Sequence, residues 1–265
     1  MPAETTAIAH DADLGADAFS FQLQSRAFAP HFHPAWVVGC VLSGRRRLMV
    51  QGREYLAAGG DVVILRPGEV HACAPAGGAP FVWRGFHFQP ESPVGGLGGA
   101  SPAGPVLPGG GIVNDLLRAH ALMVARAPQA EKRARLVAAL RRLTRQKGDM
   151  DEGLPPLPHA GLAPPLEALR RHLVAHAGER FSLNDMAAIA RMDKFRLVRA
   201  FARVTGATPY RYLESARVNR AQELLAQGLP LVEVALEAGF TDQSHLARAF
   251  RARLGVTPGA CRRRP

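Results

Sequence analysis

The stretch Gly239-Phe-Thr-Asp-Gln-Ser-His-Leu-Ala-Arg-Ala-Phe250 decides the fold of the second half of this chain, because part of it occurs twice. Leu246-x-Arg248-Ala249-Phe250-x4-Gly255-x-Thr257-Pro258 repeats Leu197-x-Arg199-Ala200-Phe201-x4-Gly206-x-Thr208-Pro209 at an offset of 49 residues, with seven identities in thirteen positions. Agreement of that kind, in register, indicates an internal duplication. Leu197, Phe201 and Val204 fall on one stripe of a helix, and so do Leu246, Phe250 and Leu254. Asp193 and Asp242 stand where N-caps belong. Gly206 and Gly255 allow a left-handed residue past each helix end, and Thr-Pro then suits the N-cap and first position of a following helix. Arg199 and Arg248 lie off the stripes and are expected to face outward.

A shorter helix is expected before each repeat, over Leu183–Arg191 and Leu231–Ala238, with Gly239 making the second turn. Two helices across a tight turn form a helix-turn-helix, whose second helix can enter the major groove of DNA. Between the two units, Pro209 to Ala226 predicts a linking helix about 27 Å long. That length could set two recognition helices near the ~34 Å separation of successive major grooves on one face of a duplex.

Residues 181–264 resemble the DNA-binding domain of AraC-type transcription regulators. The resemblance is carried by Gly239-Phe240, Asp242-Gln243-Ser244-His245, Arg248-x-Phe250, Gly255-x-Thr257-Pro258 and Arg217-x-x-x-Ala221. One departure is visible: Arg191 stands where the family places its turn glycine, which implies some strain at the first turn. Matched position by position, the resemblance implies DNA contacts from Lys194, Phe195, Arg196, Val198 and Arg199 on the first repeated helix. It implies contacts from Gln243, Ser244, His245 and Arg248 on the second. Arginine favours guanine and glutamine favours adenine in the major groove, whereas Val198 and Phe195 offer apolar contact such as a thymine methyl.

Charge agrees with a polyanion partner. Residues 1–110 hold 7 Lys+Arg against 8 Asp+Glu, net −1; residues 111–164 are net +4; residues 165–265 are net +8, which makes the +11 of the chain. The excess therefore sits with the helical repeat. Three widely spaced cysteines, Cys40, Cys73 and Cys261, fit neither a disulfide framework nor a zinc knuckle and suit a reducing compartment. No run of eighteen apolar residues is present, and Met1-Pro-Ala-Glu-Thr-Thr carries no basic-then-apolar leader pattern. A cytoplasmic protein without a membrane partner is expected.

The first half reads as strands. Phe19–Leu23, Trp36–Leu42, Leu48–Gln51, Asp61–Leu65 and Phe81–Phe88 are short apolar or alternating runs between Gly, Pro and polar clusters, which suggests a barrel or jelly roll. His31-Phe-His33 places two imidazoles on one face, and Pro67-Gly68-Glu-Val-His71 adds a third after a turn. This pattern resembles the cupin barrel, specifically the effector-binding half joined to AraC-type DNA-binding domains. In cupin enzymes such histidines hold a metal together with a glutamate, but no glutamate follows His33 at the short distance required. Three uses stay open: a metal-free pocket binding an organic effector through His31, His33, Trp36, His71 and His87; a divalent ion on His31, His33 and His71, as in three-histidine sites; or purely structural histidines. Arg45 and Arg84 are weaker pocket candidates. No cofactor is otherwise expected.

Residues 91–110, rich in Gly and Pro, read as a connection without regular structure. Two amphipathic helices follow, one carrying Ile112, Leu116, His120 and Met123, the other Leu136, Val137, Leu140 and Leu143. In the resembled family such helices often form a dimer contact. The proline-rich stretch 148–165 reads as a linker.

The expectation is thus an α+β multidomain chain: a cupin-like β-barrel over 1–110, a helical packing or dimerisation segment over 111–147, a linker over 148–165, and an all-α double helix-turn-helix domain over 166–265. It implies a regulator, not an enzyme, that binds double-stranded DNA and a small-molecule effector, with a homodimer and RNA polymerase as further partners. Two alternatives remain: a cupin-type metalloenzyme with an appended helical domain, and a DNA-binding regulator with no small-molecule input. No nucleophile or paired-carboxylate arrangement supports an enzyme.

Overall fold

The structure is a computed structural model that describes residues 4–94, 104–145 and 162–261. Alternating side chains build the first half into two antiparallel sheets. One holds six strands in the order β1 (Thr5–Asp11), β2 (Ala16–Leu23), β9 (Phe81–Phe88), β4 (Trp36–Ser43), β7 (Asp61–Leu65) and β10 (Val106–Pro108). The other holds β3 (Phe28–His31), β8 (His71–Pro75), β5 (Arg45–Val50) and β6 (Arg53–Ala58). Among the described residues the hydrogen-bonding does not run from one sheet into the other, so the half is a two-sheet cupin-like sandwich.

The six-stranded sheet is covered on both faces, and its central strands are accordingly apolar almost without break. Val37, Val41, Val63, Leu65 and Trp83 face Leu48, Val50 and Ala57 of the smaller sheet. Val38, Cys40, Ile64, Phe86 and Phe88 face the other way, onto α1 (Gly111–Val124) and α2 (Gln129–Arg145). Those two helices use Ile112, Leu116, Met123, Leu136, Leu140 and Leu143 for this, so their apolar stripes are spent inside the domain. Gly39 pairs with Gly85 in the sheet, beneath the Trp83 ring; a Cβ at Gly85 would come within 2.7 Å of that ring. Lys132 Nζ meets the buried Asp11 carboxylate at 2.6 Å and pins α2 to the end of β1.

Residues 91–110 were expected to carry no element, yet β10 forms there, paired antiparallel to β7 from Val106 to Pro108. The exposed edge of β7 supplies hydrogen-bond partners that composition does not reveal. Residues 95–103 lie outside the described residues, as does most of the expected linker, 146–161. α3 (Pro164–Ala175) opens two residues inside that linker, with Pro at the start of the helix, where a missing N–H is harmless.

Each unit of the helical half follows its sequence signals, except that Val204, expected on the first apolar stripe, is exposed while Thr205, whose hydroxyl donates to the Phe201 and Ala207 carbonyl oxygens, is buried instead. α4 (Leu183–Ile189) begins with a capping box between Ser182 and Asp185. α5 (Lys194–Thr205) is capped by Asp193, which accepts from the N–H of Phe195 and of Arg196, and ends at Gly206 with φ 83°. α6 (Pro209–Ala226) links the units. α7 (Leu231–Glu237) leads to α8 (Gln243–Leu254), capped by Asp242 and ended by Gly255 with φ 71°, and α9 (Pro258–Cys261) closes the described chain. Thr208 takes the N-cap position of α6, but its side chain makes no capping hydrogen bond.

The two turns differ as their sequences do. Gly239 has φ 82°, and a Cβ there would lie 2.8 Å from Arg217 Nε and 2.9 Å from the Gly178 carbonyl oxygen. Arg191 has φ 50° at an exposed position, so the first turn keeps a left-handed residue that is not glycine.

The halves meet at Phe32. Its ring is buried and stacks on Tyr212 of α6 at 4.5 Å, within the core of the first helix-turn-helix unit alongside Leu169, Met186 and Phe201. Its N–H donates to Ser215 Oγ (3.0 Å), and its carbonyl oxygen accepts from Asn219 Nδ2 (3.1 Å). Val70 joins the same core. Removing an aromatic ring from such a site costs about 3–5 kcal/mol. Phe32→Ala is therefore expected to uncouple the halves, giving two calorimetric melting transitions with the helical half melting first. A single transition at the wild-type temperature would refute this.

Candidate functional site

Two surfaces carry the polar chemistry. The first is the outward face of the repeated helices. Lys194, Phe195, Arg196 and Arg199 on α5 are exposed, and Val198 is half-buried. Phe195 is 75% exposed, an unusual position for a large aromatic. On α8, Gln243, Ser244 and Arg248 are exposed. His245 is half-buried: its ring sits edge-on to Phe240 at 5.1 Å, its Nδ1 lies 3.2 Å from Thr241 Oγ1, and its Nε2 lies 3.8 Å from Glu214 Oε1. The caps Asp193 and Asp242 leave the N-terminal turns of both helices, and the backbone positive ends there, pointing to solvent. Thus each expected DNA-contact residue is on the surface, with His245 the least free.

The second is a cavity between the two sheets, bounded on its remaining side by the helical half. About 120 Å³ of it is reachable by the centre of a water molecule. Its wall is aromatic and aliphatic, with Phe19, Phe21, Phe28, Leu65, Phe81 and Trp83 prominent. Gln222 of α6, Arg253 and Leu254 of α8, then Val256 and Cys261 close it from the helical side.

His31, His33, His71 and His87 all line this cavity. β3 ends at His31, so the His-x-His pair straddles a strand end, yet both rings still point inward. His31 faces His71 across the β3–β8 pair, ring centroids 4.3 Å apart; His33 lies 4.9 Å from His31 and 4.6 Å from His87. His31 Nδ1 bonds the Ala29 carbonyl oxygen (2.8 Å) and His71 Nδ1 bonds that of Glu69 (2.9 Å). Each ring then donates through Nδ1 and keeps Nε2 as an acceptor. One ligand atom from each of His31, His33 and His71 lies within 4.8 Å of the others, a spacing that suits a metal ion. Burial drives all four imidazoles toward the neutral form, His71 and His87 to about 4 and His31 and His33 well below their ordinary value. Glu69 is buried at the same turn, accepts from the Arg66 N–H and Gln51 Nε2, and has its pKa raised by desolvation.

Trp36, Arg45 and Arg84 lie outside the cavity. Trp36 packs against the opposite core with α1, because period-2 alternation along β4 sends Val37 inward and Trp36 to the other face. The exposed Arg45 gives way to Arg46, which is buried on the cavity side. Arg46 was missed, although the alternation of β5 put it in phase with Leu48 and Val50. Arg253 and Gln222 were missed as well; only the approach of the two halves brings them there.

Comparison with known proteins places the whole chain. Residues 14–191 match the family model for the AraC-like ligand binding domain, two thirds of the chain, and residues 186–264 match a helix-turn-helix domain model. The chain belongs to the AraC family of transcription regulators. It is 28% identical to the uncharacterized HTH-type transcriptional regulator YbfI of Bacillus subtilis, covering 93% of this chain and 91% of that one. It is 29% identical to the uncharacterized HTH-type transcriptional regulator YidL of Escherichia coli, covering 85% of this chain and 74% of that one. The crystal structure of ToxT from Vibrio cholerae superposes with a TM-score of 0.54 at 10% identity, covering 92% and 95% of the two chains. This AraC-type chain is therefore a DNA-binding transcription regulator with a ligand-binding-type N-terminal half, and its relatives are regulators rather than enzymes. Among the described residues no helix is long and apolar enough to cross a membrane.

The buried histidines set an acid limit. His71 and His87 stay neutral in the fold down to about 4, whereas the unfolded chain takes up their protons near 6.5. Between those values the unfolded state binds more protons, so stability falls as pH falls, by about 1.4 kcal/mol per pH unit for each such group. Above pH 6.5 these groups contribute no slope. His71→Gln is expected to reduce the slope of unfolding free energy between pH 6.5 and 4 by about one proton, measured by denaturant titration at stepped pH.

Proposed function

We propose that this AraC-type regulator reads two successive major grooves with α5 and α8 and is controlled by a small organic effector in the cavity between its sheets. The observation that carries the DNA reading is the placement of Arg199 and Arg248, equivalent in the duplication, on the exposed faces of two similarly capped helices. Arg196, Arg199, Gln243, Ser244, His245 and Arg248 offer hydrogen bonds to base edges, and Phe195 and Val198 offer apolar contact. Lys194 and the helix N-termini supply phosphate contacts and a salt-dependent affinity.

The effector reading rests on a largely apolar wall interrupted by a few converging polar groups, the usual makeup of a small-molecule site. His31, His33, His71 and His87 would contact the ligand. ToxT has been crystallised with (E)-4-(8-methylnaphthalen-1-yl)but-3-enoic acid, and a small organic acid is the ligand class we favour here. A divalent ion on His31, His33 and His71 is the second reading. It is favoured by the Nδ1 hydrogen bonds of His31 and His71 to backbone carbonyl oxygens, an arrangement that orients metal-binding imidazoles. Three imidazoles with no carboxylate in the cavity wall fit zinc or a similar ion. The ion would be detected by elemental analysis and by a rise in melting temperature on adding zinc that His33→Ala abolishes.

The proposed division of labour is effector binding over 1–110, packing over 111–147, a linker over 148–165 and DNA binding over 166–265. We place the protein in the cytoplasm, with RNA polymerase as a partner, and as a homodimer. Since α1 and α2 spend their apolar stripes on the sheet, a dimer contact there would use their polar outer faces. The deciding experiment selects bound sequences from random DNA with and without candidate ligands. Arg199→Ala and Arg248→Ala should each cost about 1–3 kcal/mol of specific binding and relax one base position. Equal losses on selected and random DNA would reassign them to phosphate.

A further inference from the structure

The cavity wall buries two guanidinium groups whose hydrogen-bonding capacity is not met. Arg46 on β5 is 3% exposed. It donates through Nη2 to the Arg26 carbonyl oxygen and lies over the Phe28 and Phe81 rings, 5.3 and 5.2 Å from their centroids. Its Nε and Nη1 have no oxygen or nitrogen acceptor among the described residues, and only the Cys73 thiol, a weak acceptor, approaches the guanidinium. Arg253, in the last turn of α8, is 5% exposed. It donates through Nη2 to Glu214 Oε2 at 2.6 Å, while its Nε has no acceptor. Among the described residues no Asp or Glu lines the cavity. Buried cations with open donors, in an apolar chamber without a carboxylate, describe a site that lacks its anion.

Arg253 also has a second connection. Glu214, on α6, holds Arg253 with one carboxylate oxygen and approaches His245 Nε2 with the other, at 3.8 Å. His245 stands in the first turn of α8, on the DNA-facing surface, and Arg253 stands in its last turn, in the cavity. One carboxylate therefore spans the two ends of the second recognition helix. Nearby, Arg26 of the sheet half donates to the Gly255 carbonyl oxygen at the end of α8.

Resting on the reading of the cavity as the effector site, we propose that the effector is an amphipathic carboxylate gripped jointly by Arg46 of the sheet half and the open Nε of Arg253. Arg253 keeps Glu214 on its Nη2 and so transmits occupancy to His245 at the proposed DNA face. A charge-assisted bond to each arginine would draw the end of α8 against β5 and fix the second recognition helix relative to the first, which Phe32 already ties to the sheets. Linkage then requires that cognate DNA change carboxylate affinity by the same factor by which the carboxylate changes DNA affinity.

The test titrates the full chain calorimetrically with straight-chain carboxylates from octanoate to hexadecanoate, each beside the primary alcohol of equal length. The expected result is a carboxylate preference of about tenfold or more. Arg46→Met and Arg253→Met should each collapse that preference while alcohol binding persists, which also reports that the variants are folded. Glu214→Gln should keep the preference but weaken the effect of the carboxylate on affinity for the selected DNA. Equal binding of acid and alcohol by the wild type, or a preference that survives both arginine variants, overturns the clamp. Unchanged coupling in Glu214→Gln overturns the relay. A wild type that binds neither series overturns the effector reading itself and the proposal with it.

Discussion

The backbone at Phe32 is the constraint on which the rest of this structure depends. The strand end that sends His31 and His33 into the cavity must send the residue between them the opposite way, since successive side chains of extended backbone alternate. That residue is a phenylalanine, and what lies on the opposite side is the core of the first helix-turn-helix unit. Ser215 and Asn219 hold its N–H and carbonyl oxygen, so main chain as well as ring is committed to α6. Val70 does the same from the turn before His71. Side chains that line the cavity and side chains that anchor the DNA-binding half are thus neighbours in sequence. A shift of the histidines by a fraction of an ångström cannot leave α6 unmoved, because a packed interior has little room to absorb it.

α6 is suited to receive such a signal. It is buried on most of its circumference, with Tyr212, Leu213 and Ala216 in one unit's core and Ala221, Leu224 and Leu225 in the other's. Both α5 and α8 pack against this enclosed helix. Arg217 reinforces the arrangement by donating to the Ala177 and Glu179 carbonyl oxygens, which fastens α6 to the end of α3. The same guanidinium occupies the space that a side chain at position 239 would need, so the second turn requires glycine for two reasons, its φ and its neighbours. At Arg191 the side chain points to solvent and only the backbone conformation carries a cost, of the order of 1–2 kcal/mol.

The cavity shows how one enclosure can serve recognition and communication together. Its walls come from both sheets and its lid from α6, α8 and the residues after it. Burial keeps the four imidazoles uncharged near neutral pH, so they offer hydrogen bonds or metal ligation without adding to the positive charge of Arg46 and Arg253. The wall of the proposed ligand site thereby includes α8, the helix proposed to meet DNA, so that no long chain of intermediates would separate the two tasks.

The sequence by itself determined the helical half almost completely. Duplicated stripes, aspartate caps and left-handed glycines are local signals, and they were realised where they were read, including the strained turn at Arg191, except that Val204 is exposed and Thr205 takes the buried place on the first stripe. The His-x-His pair and His71 were legible for the same reason, since alternation and a Pro-Gly turn are local as well. Tertiary structure decided what local pattern does not encode. It made a strand of Val106–Pro108 because β7 had an open edge, placed Trp36 against α1 rather than in the cavity, and turned the apolar faces of α1 and α2 to the sheet. It also brought Arg46 and Arg253, more than two hundred residues apart, into one chamber. Alternation could have placed Arg46 on the inner face, but only the docking of the two halves could give it a companion.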